Sequence, residues 1–390
     1  MRAAIAEAMP GFARDPGVYA VIIRSAVPEM FSAGRDLLEL SQTMSAGQDE
    51  AARLLAQDYR LYWLLECFSK PTVSLIDGEV LGSGAGLTLY GTHRVAGENF
   101  TFAAPETAFG FFPDVGLAWV FARMPGQVGL FLGLTGRRIG RADAFRIGLV
   151  THCIPATRFG EIEAGLSDAD PVDPILDDRH EDPGLGELEQ YREILDHCFS
   201  AESVEDILAR LEEGSRRGGA TGAWCGDVLA ELKQRSPIAL KVTFRHIREA
   251  AYRDLRQTLM LDYRLASRLI ETHDFKEGVR ARLNSETQQP RWKPRHIADV
   301  TEAMVERFFA YRPGRELILP TRQEMQAARV LLLLNRRSSN NLTRWSHTAN
   351  VVAGRHQFFP IEADLPKLEL PCRRRLAEGI GCSPRNGTRA

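Results

Sequence analysis

The sequence predicts an α/β layer structure whose second half is mostly helical, and three observations carry that prediction. VYAVIIRS (18–25) and TVSLIDG (72–78) are β-branched runs of strand length. Helical spacing occurs before and between them, so strand and helix alternate, the pattern of packed α/β layers. Beyond about residue 157 the strand runs give way to helical patterns at 203–214, 236–251 and 253–271.

In chain order, residues 1–14 read as an amphipathic helix. Ile5, Met9 and Phe12 recur at helical spacing, and Gly11 to Pro16 stop it. The first strand (18–25) leads into a loop over 27–36. Residues 49–67 read as a long helix broken by Lys70-Pro71, after which 72–78 forms a buried strand. The glycine-rich Gly82-Ser83-Gly84-Ala85-Gly86 turns into a short helix. Short strands follow at HRVA (93–96) and FTFA (100–103), ahead of Pro105. This divides the chain into an α/β part (1–157), a helical region (158–330) and a tail (331–390). The tail holds ten Lys/Arg and four Asp/Glu and shows no sustained period. Either it is a basic interaction segment centred on Arg373-Arg374-Arg375, or, the favoured expectation, a non-native and disordered extension past a displaced stop codon.

The 390 residues are 44% hydrophobic, enough for a substantial core. A formal net charge of −2 gives no reason to expect nucleic acid or an anionic membrane as partner. No stretch approaches the ~18 apolar residues of a spanning helix, and the N-terminus lacks a signal-peptide pattern. The six cysteines form no C-x-x-C pair and no His/Cys cluster. That argues against a disulfide framework or structural zinc and leads to an expected cytoplasmic location.

Four segments carry chemistry. Phe31-Ser32-Ala33-Gly34-Arg35-Asp36 follows a strand with small residues that let a ligand approach the backbone; the plain alternative is a turn. Asp77 to Gly86 feeds a strand into a glycine-rich turn and a helix start. Free N–H groups there favour an anion or a developing oxyanion, unless the glycines serve only close packing. No Gly-Lys-Ser/Thr follows, so this is not a phosphate loop. In Ala104 to Gly116, Glu106 and Asp114 sit among apolar or small residues. Such carboxylates have raised pKa values and can act as acid, base or nucleophile; alternatively both cap helices, Asp114 especially. Asp58-Tyr59, in the helix before Lys70-Pro71, is uninformative alone.

The order FSAGRD, KPTVSLIDG, GSGAG and PET-x-x-G-x-FPDVG resembles the crotonase superfamily, within it the 3-hydroxyisobutyryl-CoA hydrolase branch. LTGRRIGRADAFRIGLVTH (134–152), SPIALKVT (236–243), TLMLDYRLASR (258–268), DFKEGVRARL (274–283) and PRWKP (290–294) extend the likeness over roughly residues 1 to 330. The resemblance implies a crotonase-like ββα spiral core with a helical C-terminal region. It also implies hydrolysis of a short branched 3-hydroxyacyl-CoA, as in valine degradation.

Carried over by residue, the backbone N–H groups of Arg35 and Ser83 would form the oxyanion hole. Glu106 would be nucleophile or general base, and Asp114 would orient water or the substrate's 3-hydroxyl. Asp58 matches a substrate-contacting acidic position. Ala33, Gly34, Asp36, Gly82 and Gly84 would border the substrate, with the loop around Ala33 near the adenine of CoA. No metal, nucleotide or flavin is implied, CoA arrives as part of the substrate, and a homo-oligomer is compatible with the family's trimers and hexamers. Gly86 stands where the superfamily's hydratases carry a second glutamate, which favours hydrolysis over hydration.

Arg35 and Ser83 depart from the branch, which usually has glycine at both positions; a β-carbon at Ser83 would crowd the acyl group. The chain begins in what the resemblance makes the first helix, so the family's first strands are expected to be missing and the sheet to open with an exposed edge. A misplaced start codon would explain this. The rival readings are an enoyl-CoA hydratase or isomerase of the same fold, and a truncated, inactive CoA-binding paralogue.

Overall fold

The computed structural model describes residues 1–27, 29–283, 289–327, 350–353 and 357–360. Helix α1 (Arg2–Arg14) opens the chain and is tied down by Lys70, whose ammonium donates to the carbonyls of Phe12 and Asp15. Up to Ala103 the strands then alternate between two sheets. β1 (Val21–Arg24), β3 (Thr72–Ile76), β5 (His93–Ala96) and β8 (His152–Cys153) form an all-parallel sheet in the order β1-β3-β5-β8. β2 (Glu29–Ser32), β4 (Gly78–Leu81), β6 (Thr101–Ala103) and β7 (Ile139–Gly140) form a second sheet in that order, parallel except for β7. Each repeat thus supplies one strand to each sheet before its helix or turn, which is the ββα spiral.

The bend between sheets explains what the sequence analysis merges. The run 72–78 is two strands: the chain turns at Asp77-Gly78, where a Cβ on Gly78 would sit 2.6 Å from the Glu29 carbonyl carbon. Asp77 holds the matching bend of the next repeat by accepting from the Asn99 amide at 2.9 Å and its Nδ2 at 3.1 Å. Two elements depart from expectation. The loop over 27–36 contains β2, a half-exposed strand without apolar alternation that pairs only because β4 lies beside it. Before α3 (Gln48–Glu66) there is a separate helix, α2 (Leu37–Ala46), capped by Asp36.

α4 (Leu117–Phe121), α5 (Val128–Thr135) and α6 (Arg141–Arg146) complete the first part. The rest comprises α7 (Phe159–Ser167), α8 (Val172–Asp177), α9 (Arg192–Phe199), α10 (Val204–Ser215), α11 (Gly219–Lys233), α12 (Pro237–Ala250), α13 (Leu255–Leu269), α14 (His273–Leu283) and α15 (Glu302–Phe309). One apolar core runs across residue 157: Leu55, Tyr59, Phe112 and Phe131 share it with Phe199, Leu259 and Phe275. Tyr59 of α3 meets Tyr263 of α13 edge to face, with ring centroids 6.4 Å apart. Within 331–390 the structure describes one antiparallel pair, Asn350–Ala353 with Gln357–Pro360, where the sequence pattern had suggested no ordered element. The rest of that expectation, including Arg373-Arg374-Arg375, lies outside the described residues. Among the described residues no helix is long and apolar enough to cross a membrane.

Candidate active site

β2, β4 and β6 are parallel neighbours, so the three segments leaving their C-terminal ends lie side by side. These are residues 33–36, the 3-10 turn Gly82–Leu87 and the 3-10 turn Pro105–Phe109. Ligands of α/β sheets are taken at such carboxyl ends. Glycine makes the approach close. Gly34 has φ +82°, and a Cβ there would come within 2.8 Å of the Leu81 carbonyl oxygen. Gly82 has φ +46°, and its missing Cβ leaves the space that the Glu106 carboxylate occupies.

The two amides singled out from the sequence lie on these touching segments. A Cβ on Gly84 would reach Ser32 Oγ and lie 3.3 Å from the Gly34 nitrogen. The Arg35 side chain is only 5% exposed although the residue is half-buried, so the accessible part of Arg35 is its main chain. Its N–H finds no acceptor among the described residues. Ser83 is the second residue of its turn, where an N–H has no acceptor inside the helix. Tyr62 anchors the next peptide of the turn by donating its hydroxyl to the Ser83 carbonyl at 3.2 Å.

Helix α3 organises the rest through Asp58, Tyr59 and Tyr62, which share its buried face. Arg35 Nε donates to Asp58 Oδ2 at 3.1 Å, and Arg35 Nη1 donates to Asp114 Oδ2 at 2.7 Å. Arg2 Nη1 holds the same Asp58 oxygen at 2.6 Å, and the Tyr59 hydroxyl donates to Asp114 Oδ2 at 2.7 Å. Burial works against the charge on Arg35, but Asp114, Tyr59 and Asp58 outweigh it and lift the guanidinium above its ordinary range. Burial also raises Asp58, with Arg35 and Arg2 pulling it back.

Glu106 is the second residue of its turn and 7% exposed. Burial, reinforced by the nearby charge of Asp114 and moderated by Arg35, pushes its carboxyl up to about 8. Its Oε2 is buried without a partner, as are Asp114 Oδ1 and Arg35 Nη2. Asp114 is fully buried, and the chain behind it is forced into an unusual turn: Val115 has φ +56° and Gly116 φ +79°. A β-branched residue at positive φ is strained and must be held from outside. The Tyr90 hydroxyl donates to the Val115 carbonyl, and the Gly116 N–H donates to Asp262 Oδ2 at 2.6 Å. His246 Nε2 braces Asp262 Oδ1 at 2.5 Å.

The structure therefore brings Arg35, Gly34, Gly82, Ser83, Gly84, Glu106 and Asp114 together; it corrects one expectation and gives protein partners to two further residues. Asp114 does not cap α4, because its carboxylate turns inward to Arg35 and Tyr59; the helix begins at Gly116 without a side-chain cap. Asp36, expected at the substrate, is exposed and caps α2 by accepting from the Glu39 amide at 2.8 Å. Asp58, expected to contact substrate, has Oδ2 shared between Arg2 and Arg35. Ala33 is exposed at the mouth of the loop. Sequence reasoning named Tyr59 without giving it a role, and missed Tyr62, Tyr90, His246 and Asp262. The spacing of Asp58 and Tyr62, four apart on one helix face, was the available signal for Tyr59 and Tyr62; nothing local marks the others.

At Gly86, a Cβ would lie 2.6 Å from Tyr62 Cε1, so the tyrosine ring fills the place a larger residue would need. Among the described residues no group of three or more His, Cys, Asp or Glu is placed to hold a metal ion.

With this geometry in view, comparisons with known proteins are informative. A family model described as enoyl-CoA hydratase/isomerase matches residues 1–309. The chain is 36% identical over 329 residues to 3-hydroxyisobutyryl-CoA hydrolase 1 of Arabidopsis thaliana, covering 81% of this chain and 86% of that protein. It is 36% identical over 314 residues to the mitochondrial 3-hydroxyisobutyryl-CoA hydrolase of Rattus norvegicus, covering 78% and 80%. Among solved structures it is similar to a carnitinyl-CoA dehydratase from Mycobacterium thermoresistibile, with TM-score 0.75, 34% identity, and coverage of 81% of this chain and 90% of that one. It is also similar to an enoyl-CoA hydratase from Rhodobacter sphaeroides 2.4.1, with TM-score 0.74, 32% identity, and coverage of 82% and 92%.

Proposed function

The chain belongs to the enoyl-CoA hydratase/isomerase family, and from that premise we propose that it is an acyl-CoA thioester hydrolase acting on 3-hydroxyisobutyryl-CoA, with Glu106 as its reactive carboxylate. The observation that carries this reading is the Glu106 carboxyl, buried, bare at Oε2 and pressed against Gly82 beside the free amides of the two loops.

The thioester oxygen would lie between the Arg35 and Ser83 N–H groups, which stabilise negative charge developing on it. Glu106 then acts in one of two ways. As nucleophile it attacks the carbonyl carbon, the C–S bond breaks, CoA leaves as a thiolate that takes up a proton, and water hydrolyses the resulting anhydride. As general base it takes a proton from water, which attacks directly, and the same C–S bond breaks. A carboxyl pushed up to about 8 is matched to proton transfer near neutrality. Oxygen-18 from solvent appearing in Glu106 after a single turnover distinguishes the nucleophile. The enzyme would work in the cytoplasm with no metal, nucleotide or flavin.

The names of the similar solved structures favour a second reading, hydration of an enoyl-CoA. That chemistry in the superfamily uses a second glutamate at the position of Gly86, and here the Tyr62 ring occupies the space. Purified protein with 3-hydroxyisobutyryl-CoA and a thiol reagent tests the proposal: steady release of CoA is expected, and none above background ends it. Loss of the conjugated enoyl absorbance without free thiol would favour the hydratase.

A further inference from the structure

Arg35 Nη2, Asp114 Oδ1 and Glu106 Oε2 are buried polar atoms left without partners in one site. The first two belong to the two halves of a single ion pair, whose other contact, Nη1 to Oδ2, is 2.7 Å. Asp58 takes Nε at 3.1 Å and is itself anchored by Arg2 at 2.6 Å, so the guanidinium is held on its Asp58 side. Tyr59 completes Asp114 Oδ2 at 2.7 Å, which fixes the carboxylate as well.

A guanidinium N–H can only donate, and an ionised carboxylate oxygen can only accept. What remains unpaired is one buried donor and one buried acceptor on the two partners of that ion pair. A hydroxyl matches this pair, because it accepts through its lone pairs while donating its proton. A carboxylate on the acyl chain would put a second negative charge beside Asp114 and would offer its open oxygen no proton. An alkyl group would leave both atoms unpaired.

We propose that Arg35 is a specificity-determining residue whose side chain, together with Asp114, holds a hydroxyl on the acyl chain and so restricts turnover to hydroxylated acyl-CoA thioesters. The inference rests on the thioester reading above and adds a side-chain role to a residue whose amide alone was implicated by the family resemblance. One residue then serves both ends of the reacting group, the main chain facing the thioester oxygen and the guanidinium facing the tail.

The experiment compares kcat/KM for 3-hydroxyisobutyryl-CoA and for isobutyryl-CoA, which lacks the hydroxyl, in wild type, Arg35→Met and Arg35→Lys. Wild type is expected to prefer the hydroxylated substrate by at least on the order of a hundredfold. Arg35→Met should reduce that preference to about threefold or less, chiefly through the hydroxylated substrate, and Arg35→Lys, which keeps a donor, should fall between them. A preference that survives in Arg35→Met overturns the proposal. Binding of non-hydrolysable thioether analogues with and without the hydroxyl, measured on wild type by calorimetry, reads the same discrimination without any variant having to fold. Equal binding of the two analogues overturns it too, and would mean that water satisfies the gap. No CoA release from either substrate, with the analogues still discriminated, would overturn the hydrolase reading while sustaining the hydroxyl site.

Discussion

Two sets of buried carboxylates in this molecule are treated in opposite ways. Asp143, Asp262 and Asp274 have both oxygens engaged. Asp143 accepts from the amides of Glu187 at 3.1 Å and Leu188 at 3.0 Å, and Asp262 holds the Gly116 amide and His246. Asp274 accepts from Ser236 Oγ at 2.6 Å and the Lys293 amide at 2.8 Å. Glu106 and Asp114, on the segment between β6 and α4, each keep one oxygen bare. A buried polar group normally finds a partner because leaving it unpaired costs free energy. The first set joins segments far apart in sequence. The second carries a cost that only a ligand or water can remove, the usual mark of a working site.

The sharpest way to break this contrast is Glu106→Gln. Thioester hydrolysis should fall by about 10³-fold, measured by thiol release, while the thermal midpoint stays level or rises because a neutral amide no longer risks a buried charge. A loss of less than about tenfold would remove Glu106 from the chemistry. The linkage has a definite sign. The folded carboxyl lies at about 8 against an ordinary 4.5, so the folded state keeps a proton that the unfolded chain gives up. Its contribution to stability is complete below about 4.5 and is lost as pH rises toward about 8. Glu106→Gln should flatten that decline.

The structural set answers differently. Asp274→Ala strands the Ser236 hydroxyl and the Lys293 amide, and should lower stability by roughly 2–4 kcal/mol in urea unfolding, with turnover per folded molecule unchanged. Turnover falling in step with that of Glu106→Gln would erase the distinction between the two sets.

The smallest effect sharpens the comparison within the site. The acid limb of kcat/KM should rise through about 8, and Asp114→Asn should move it to lower pH, since the charge of Asp114 raises Glu106. A pH titration of initial rates measures the shift; a limb that stays in place would mean that the two carboxyls do not interact.

How much of this was legible in the chain depends on distance. The run 18–25, the helix over 49–67, the turn Gly82–Leu87 and the two carboxylates in 104–116 declare themselves through spacing and small residues. β2 did not, because four half-exposed residues hold no period and the strand forms only by pairing with β4. The partners of Asp58 and Asp36 were not legible either, because a sequence names the residue but not its neighbour; one meets Arg2 and Arg35, the other an amide of the helix it caps.

The amino-acid order by itself determined the alternation of strand and helix, the glycine-lined turns and the choice of Glu106 and Asp114 as candidates, because strand propensity, positive φ and apolar context act over a few residues. Tertiary structure alone decided that the Arg35 guanidinium would bridge carboxylates 23 and 79 residues away. It also decided that Tyr62 would close the space at Gly86 and that three polar atoms would be left bare. Those outcomes depend on desolvation and on groups distant along the chain, which no local pattern encodes.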